Sequence, residues 1–192
     1  VRNMNLQEII QKELATFDNE CFHGYRKEKS IVETGTIRGD GDQHRIGDGW
    51  STVALAEHVR DNGGMVTSID LDVSTARKVL AEQDLDEYVT LVEGHSIQML
   101  TQLAVAGERF DVALLDSEND AQLILDEYLV VSEMLRSPGL LIVDDVDLVS
   151  ELVLKGHKLV PWLDHAGVPY EIVQRDCDGY TTGVLIARLG WV

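Results

Sequence analysis

The feature that most constrains this chain is a row of five short apolar runs, each ending at an acid and each followed by residues with helical periodicity. The runs cover 31–34, 65–70, 88–93, 111–115 and 140–143. At their ends stand Glu33, Asp70, Glu93, Asp116 and the pair Asp144-Asp145. Apolar residues at helical spacing mark 51–62, 74–83, 97–106, 121–136 and 148–165,. Strand–helix alternation of this kind predicts a parallel sheet with helices on both faces. Two further runs, 170–175 and 181–188, are joined only by Asp176-Cys177-Asp178-Gly179. So short a link cannot cross over the sheet and requires an antiparallel pair. The predicted fold is therefore a doubly wound α/β sheet, mostly parallel, closed by a C-terminal hairpin.

Such sheets bind ligands beyond the carboxyl ends of their strands, and that is the rim on which the acids collect. The first run feeds Glu33-Thr34-Gly35-Thr36-Ile37-Arg38-Gly39, and a helix opens near Ser51. Glycines let backbone approach a ligand closely, and a helix N-terminus offers free N–H groups to an anion. Ile37 breaks the G-x-G-x-x-G fingerprint of dinucleotide binders,. Residues 39–49 hold four glycines and three aspartates outside any periodic pattern, which suits a mobile flap beside a site,.

With Lys+Arg 16 against Asp+Glu 34, the chain carries a net charge of −18. That field repels phosphate backbones and anionic membranes, so neither nucleic acid nor a membrane surface is an expected partner. Cys21 and Cys177 show no metal or disulfide spacing and fit a reducing, cytoplasmic setting,. Residues 1–17 lack the continuous apolar stretch of a signal peptide,. Leu6, Ile9, Ile10, Leu14 and Phe17 instead give 4–17 one apolar helical face, for packing as a lid or partner contact,. The expected organisation is an N-terminal helical cap, 1–29, on a single ligand-binding domain, 30–192.

Five motifs in order carry a family resemblance: Val32-Glu33-Thr34-Gly35-Thr36-Ile37-Arg38-Gly39, Thr67-Ser68-Ile69-Asp70-Leu71-Asp72, Val92-Glu93-Gly94-His95-Ser96, Phe110-Asp111-Val112-Ala113-Leu114-Leu115-Asp116 and Pro138-Gly139-Leu140-Leu141-Ile142-Val143-Asp144-Asp145. Over roughly 30–188 the chain resembles class I S-adenosylmethionine-dependent methyltransferases. More narrowly it resembles the metal-dependent O-methyltransferases of the catechol and macrocin kind. The resemblance implies a Rossmann-like sheet of seven strands, the seventh antiparallel between the fifth and sixth. It implies S-adenosylmethionine as cofactor, held by Glu33, Gly35, Thr36, Gly39, Ser51, Asp70, His95, Ser96 and Asp116. Asp70 would take the ribose hydroxyls, and His95 and Ser96 would lie beside the adenine. It also implies a divalent metal, with Mg2+ suited to Asp116, Asp144 and Asp145 as hard oxygen ligands. Asp116 and Asp145 are then the candidate catalytic residues, and the acceptor is a small molecule bearing a hydroxyl.

One departure stands out. The family's lysine base lies three residues after the first metal aspartate, and here Asn119 holds that position. Asn is no base, so the metal alone, or Asp145, His44 or His23, would have to deal with the proton. A metal-free methyltransferase and a non-catalytic cofactor-binding module on the same fold are the alternatives. The acceptor's identity and the choice between monomer and homo-oligomer are left open.

Overall fold

The computed structural model describes residues 4–21, 28–41, 50–177 and 180–190. Much of the predicted flap, together with His23 and His44, lies outside the described residues. The elements in order are α1 (Leu6–Cys21), β1 (Lys29–Thr34), α2 (Ser51–Asn62), β2 (Gly64–Asp70), α3 (Ser74–Glu82), β3 (Val89–Glu93), α4 (Ser96–Val105), β4 (Phe110–Leu115), α5 (Ala121–Met134), β5 (Leu135–Val146), α6 (Gly156–Ala166), β6 (Tyr170–Cys177) and β7 (Tyr180–Leu189).

The seven strands form one sheet in the order β3-β2-β1-β4-β5-β7-β6. Strands β1 to β5 pair in parallel, and β7 runs antiparallel between β5 and β6. This is the expected single-domain, Rossmann-like arrangement. Strand order reverses between β1 and β4, which makes their carboxyl ends the switch point where such sheets bind ligands.

Strand periodicity divides the core into two layers. Ile31, Val112, Leu114, Leu140, Ile142, Val184 and Ile186 face one side, where α1, α2 and α3 pack. Val32, Ala113, Leu115, Leu141, Val143, Leu185 and Ala187 face the other, against α4, α5 and α6. All of β4 is buried, as a central strand covered on both faces must be,. Helix α1 opens on a reciprocal cap, with Asn5 N donating to Glu8 and Glu8 N donating to Asn5,. Its Leu6, Ile9, Ile10, Leu14 and Phe17 are fully buried in the same layer as α2. The apolar face of this segment packs into that layer of the core.

Two boundaries differ from the sequence expectation. Strand β5 starts at Leu135 and absorbs Ser137-Pro138-Gly139, because Leu135 pairs with Phe110 and the Arg136 guanidinium reaches buried Asp111 at 2.9 Å. Helix α6 starts at Gly156 instead of 148. Side chains draw off the amides that a helix would need. Asp147 accepts from Val149 N and Ser150 N, Ser150 Oγ accepts from Leu152 N and Val153 N, and Asn119 Oδ1 accepts from Leu154 N. Among the described residues no helix is long and apolar enough to cross a membrane.

Candidate active site

The β1 turn is built by short contacts. Gly35 N donates to Ile69 O, and Gly35 adopts φ +84. A Cβ there would stand 2.2 Å from Asp116 O, so only glycine lets the turn lie against the end of β4,. Thr36 N donates to the Asp70 carboxylate at 2.8 Å. Arg38 closes over the same strand end, donating from Nη2 to Asp116 O and Ser117 O at 3.2 Å each.

Beside this turn lies a cavity of about 570 Å³, lined among others by Gly35, Arg38, Asp70, His95, Ser96 and Asn119. It falls in the usual size range for small-molecule sites, roughly 300–1,000 Å³. The structure therefore brings Gly35, Asp70, His95 and Ser96 to one cavity. Thr36, Ser51 and Asp116 line a small recess next to it. Gly39 lines neither, and its carbonyl accepts from Trp50 Nε1 at 3.0 Å, tying the loop to the start of α2.

Glu33 is fully buried behind the turn. Its carboxylate accepts three hydroxyls, Ser51 Oγ at 2.5 Å, Thr52 Oγ1 at 2.7 Å and Ser68 Oγ at 2.6 Å. It thereby pins the N-terminus of α2 to β1 and β2, and it does not face the cavity. Burial pushes its pKa up to about 7, against the three hydroxyls that favour the anion,.

Asp116, Asp144 and Asp145 converge as the sequence led us to expect, with carboxylate oxygens within 4.8 Å of one another. The oxygens fit Mg2+ in kind. Each, however, already has a basic partner. Lys155 Nζ donates to Asp116 Oδ1 and lies 3.9 Å from Asp145 Oδ2. Arg175 Nη2 lies 2.9 Å from Asp144 Oδ2 and 3.2 Å from Asp145 Oδ1. Both cationic side chains are buried, at 3% and 2% exposure.

Burial, then the Asp116 charge, push the Asp144 pKa up to about 8 against the pull of Arg175. Burial lowers the Lys155 pKa, but the three carboxylates outweigh it and raise it above the ordinary lysine value. Lys155 is thus an ammonium at neutral pH, not a base. Asp145 is the open member of the trio, with 31% of its side chain exposed, and its backbone sits at φ 54. A non-glycine residue in that region is uncommon and is found disproportionately at functional sites.

Lys155 and Arg175 are the members of this cluster that sequence reasoning missed. Arg175 did leave a signal, since it stands two residues after Val173, on the same face of β6, and Val173 packs on the core,. A charge on the inward face of a strand implies a buried partner. Lys155 left none, because the segment before it reads as helix. A further buried acid, Glu127 of α5, accepts from Thr34 Oγ1 at 2.8 Å at the end of β1.

A family model described as a methyltransferase domain matches residues 45–146. No curated protein matches the chain in sequence. Several solved structures share the fold. The cofactor-bound Rv0187 protein from MTB has a TM-score of 0.71 at 17% identity, covering 97% of this chain and 80% of its own. The O-methyltransferase TomG from Streptomyces achromogenes, involved in tomaymycin synthesis and in complex with SAM, has 0.69 at 18%, with 95% and 78% covered. The MycE methyltransferase of the mycinamycin biosynthetic pathway, in complex with Mg and SAH, has 0.58 at 13%, with 97% and 55% covered.

Proposed function

Because this chain belongs to the methyltransferase domain family, we propose that it transfers a methyl group from S-adenosylmethionine to a hydroxyl oxygen of a small molecule. The observation that carries this is the cavity at the switch point between β1 and β4, lined by Gly35, Asp70, His95 and Ser96, with Asp116 in the small recess that shares Arg38 with it. The SAM-bound TomG structure supports the choice of methyl donor and of oxygen as acceptor.

The residues fit that donor. Asp70 accepts Thr36 N on Oδ2 at 2.8 Å and Asp72 N on Oδ1 at 3.3 Å, and since a carboxylate has about four acceptor positions it can still accept ribose hydroxyls,. Ser96 opens α4 and lines the same cavity together with His95, and its hydroxyl pairs with buried Glu127 behind it. S-adenosylmethionine supplies a methyl group on a positively charged sulfur, already activated for displacement. The protein's part is to orient the acceptor and take its proton. Asp145, the one partly exposed carboxylate of the cluster, is the group we assign to the proton. Asn119 is no base, and its amide serves instead to bind Leu152 O and Leu154 N.

Mg2+ on Asp116, Asp144 and Asp145 would polarise the acceptor hydroxyl, and the oxygen donors support that finer expectation. Lys155 and Arg175 stand against it, so no step is assigned to a metal here.

The test is methyl transfer from labelled S-adenosylmethionine to a panel of catechols, phenols and sugar hydroxyls, with calorimetry for the demethylated product. Asp145→Asn is expected to lower turnover by about 10²–10⁴-fold while leaving product affinity unchanged. Absence of any binding by the wild-type protein would end the methyltransferase reading.

A further inference from the structure

We propose that Lys155 and Arg175 permanently occupy the cation position of the Asp116–Asp144–Asp145 cluster, so that this protein works without an exchangeable divalent metal. The inference rests on the methyltransferase reading above for its catalytic half only. Three carboxylates left alone in so small a space would repel one another and recruit a cation. Here two fixed cations already face them, and every one of the three is contacted.

Both cations are built in by the fold. Arg175 is held in the β6–β7 ladder opposite Thr182. Lys155 is delivered by the segment before α6, whose course is set at two points. Asn119 binds Leu152 O at 2.6 Å and Leu154 N at 2.7 Å, on either side of Val153. Gly156 then packs so closely on β5 that a Cβ there would stand 2.6 Å from Val146 Cγ1. A divalent ion bonded to Asp116 would sit within contact range of the Lys155 ammonium, and one bonded to Asp144 would meet the Arg175 guanidinium. Like charges at that range exclude each other. The residue at the family's base-lysine position thus holds in place the lysine that closes the metal position.

The test is titration of the full chain with Mn2+, followed by electron paramagnetic resonance. Wild type is expected to show no saturable site. Lys155→Ala is expected to gain one, at least about ten-fold tighter than any wild-type binding. Asp144→Asn in the Lys155→Ala background should abolish the gain. Lys155→Gln, which keeps a donor toward Asp116 without the charge, serves as the second variant should Lys155→Ala melt too early. A stoichiometric Mn2+ site in wild type that Asp116→Asn removes would overturn the proposal. So would folded Lys155→Ala and Lys155→Gln proteins that gain nothing. In the catalytic arm, wild type stripped with EDTA should keep full methyl transfer, and loss restored by Mg2+ would also overturn it. A protein that transfers methyl under no condition fails the functional reading instead, and the Mn2+ titrations still decide this one.

Discussion

Leu154 donates its backbone N–H to Asn119 Oδ1 at 2.7 Å, one residue before Lys155 enters the acid cluster. Asn119 Nδ2 donates in turn to Leu152 O, so a single side chain fixes the approach of a buried lysine. Asn119→Ala removes both bonds. Its cost should be about 1–3 kcal/mol in chemical denaturation, with faster hydrogen exchange at Leu154 as the local sign. Asn119→Asp keeps the acceptor for Leu154 and loses the donor to Leu152, so it should fall between. Equal stability of all three proteins would show that the clamp is incidental.

Glu33 makes folding pH-dependent. Its folded pKa stands at about 7, above the ordinary 4.5. The folded state therefore binds its proton more tightly than the unfolded state does. That advantage is complete below the unfolded pKa and is lost as pH rises from about 4.5 to 7, by about 3 kcal/mol at most. Glu33→Gln mimics the protonated acid and can still pair with Ser51, Thr52 and Ser68. Urea denaturation should find it close to wild type at pH 4.5 and more stable than wild type at pH 8. A constant difference across that range would place the titration elsewhere.

Much of this was legible in the sequence, and the reason is chemical. Strand ends at a binding rim tolerate acids that strand interiors do not, so Asp70, Asp116, Asp144 and Asp145 stood out against apolar runs. A short connector at 176–179 could join only antiparallel strands. What stayed hidden depended on contacts distant in sequence. Asp116 meets Lys155 across 39 positions, and Asp145 meets Arg175 across 30. Local competition hid the rest. Apolar spacing in 148–155 favours helix, but Asp147, Ser150 and Asn119 capture the amides first. Glu33 misled for a related reason. Its place beside the glycine turn suggested a ligand contact, while the hydroxyls that claim it lie 18, 19 and 35 residues away.

Gly35 should be intolerant of any side chain. Its left-handed φ of +84 alone costs a non-glycine residue about 1–3 kcal/mol,. The added Cβ would also press on Asp116 O, 2.2 Å away. Relief requires the ends of β1 and β4 to separate, which moves the turn away from Asp70. Gly35→Ala should therefore lose both thermal stability and affinity for S-adenosylhomocysteine, by calorimetry of each. Loss of stability with unchanged affinity would detach the turn from ligand binding.

Arg175 and Asp144 are both almost wholly buried, so each is costly without the other. Removing one partner of such a pair typically costs 3–5 kcal/mol, because the remaining charge is stranded. Arg175→Met keeps the apolar bulk and removes the charge that faces Asp144 at 2.9 Å and Asp145 at 3.2 Å. It should destabilise strongly in urea at pH 9, above the Asp144 pKa of about 8, and less at pH 6, where Asp144 is protonated. Asp144→Asn in the same chain removes the stranded carboxylate and should recover a large part of the loss. The recovery should be incomplete, because Asp145 also loses its guanidinium partner. The four proteins of this cycle give the coupling directly, and simple additivity of the two substitutions would mean that Arg175 serves the fold through its other contacts and not through Asp144.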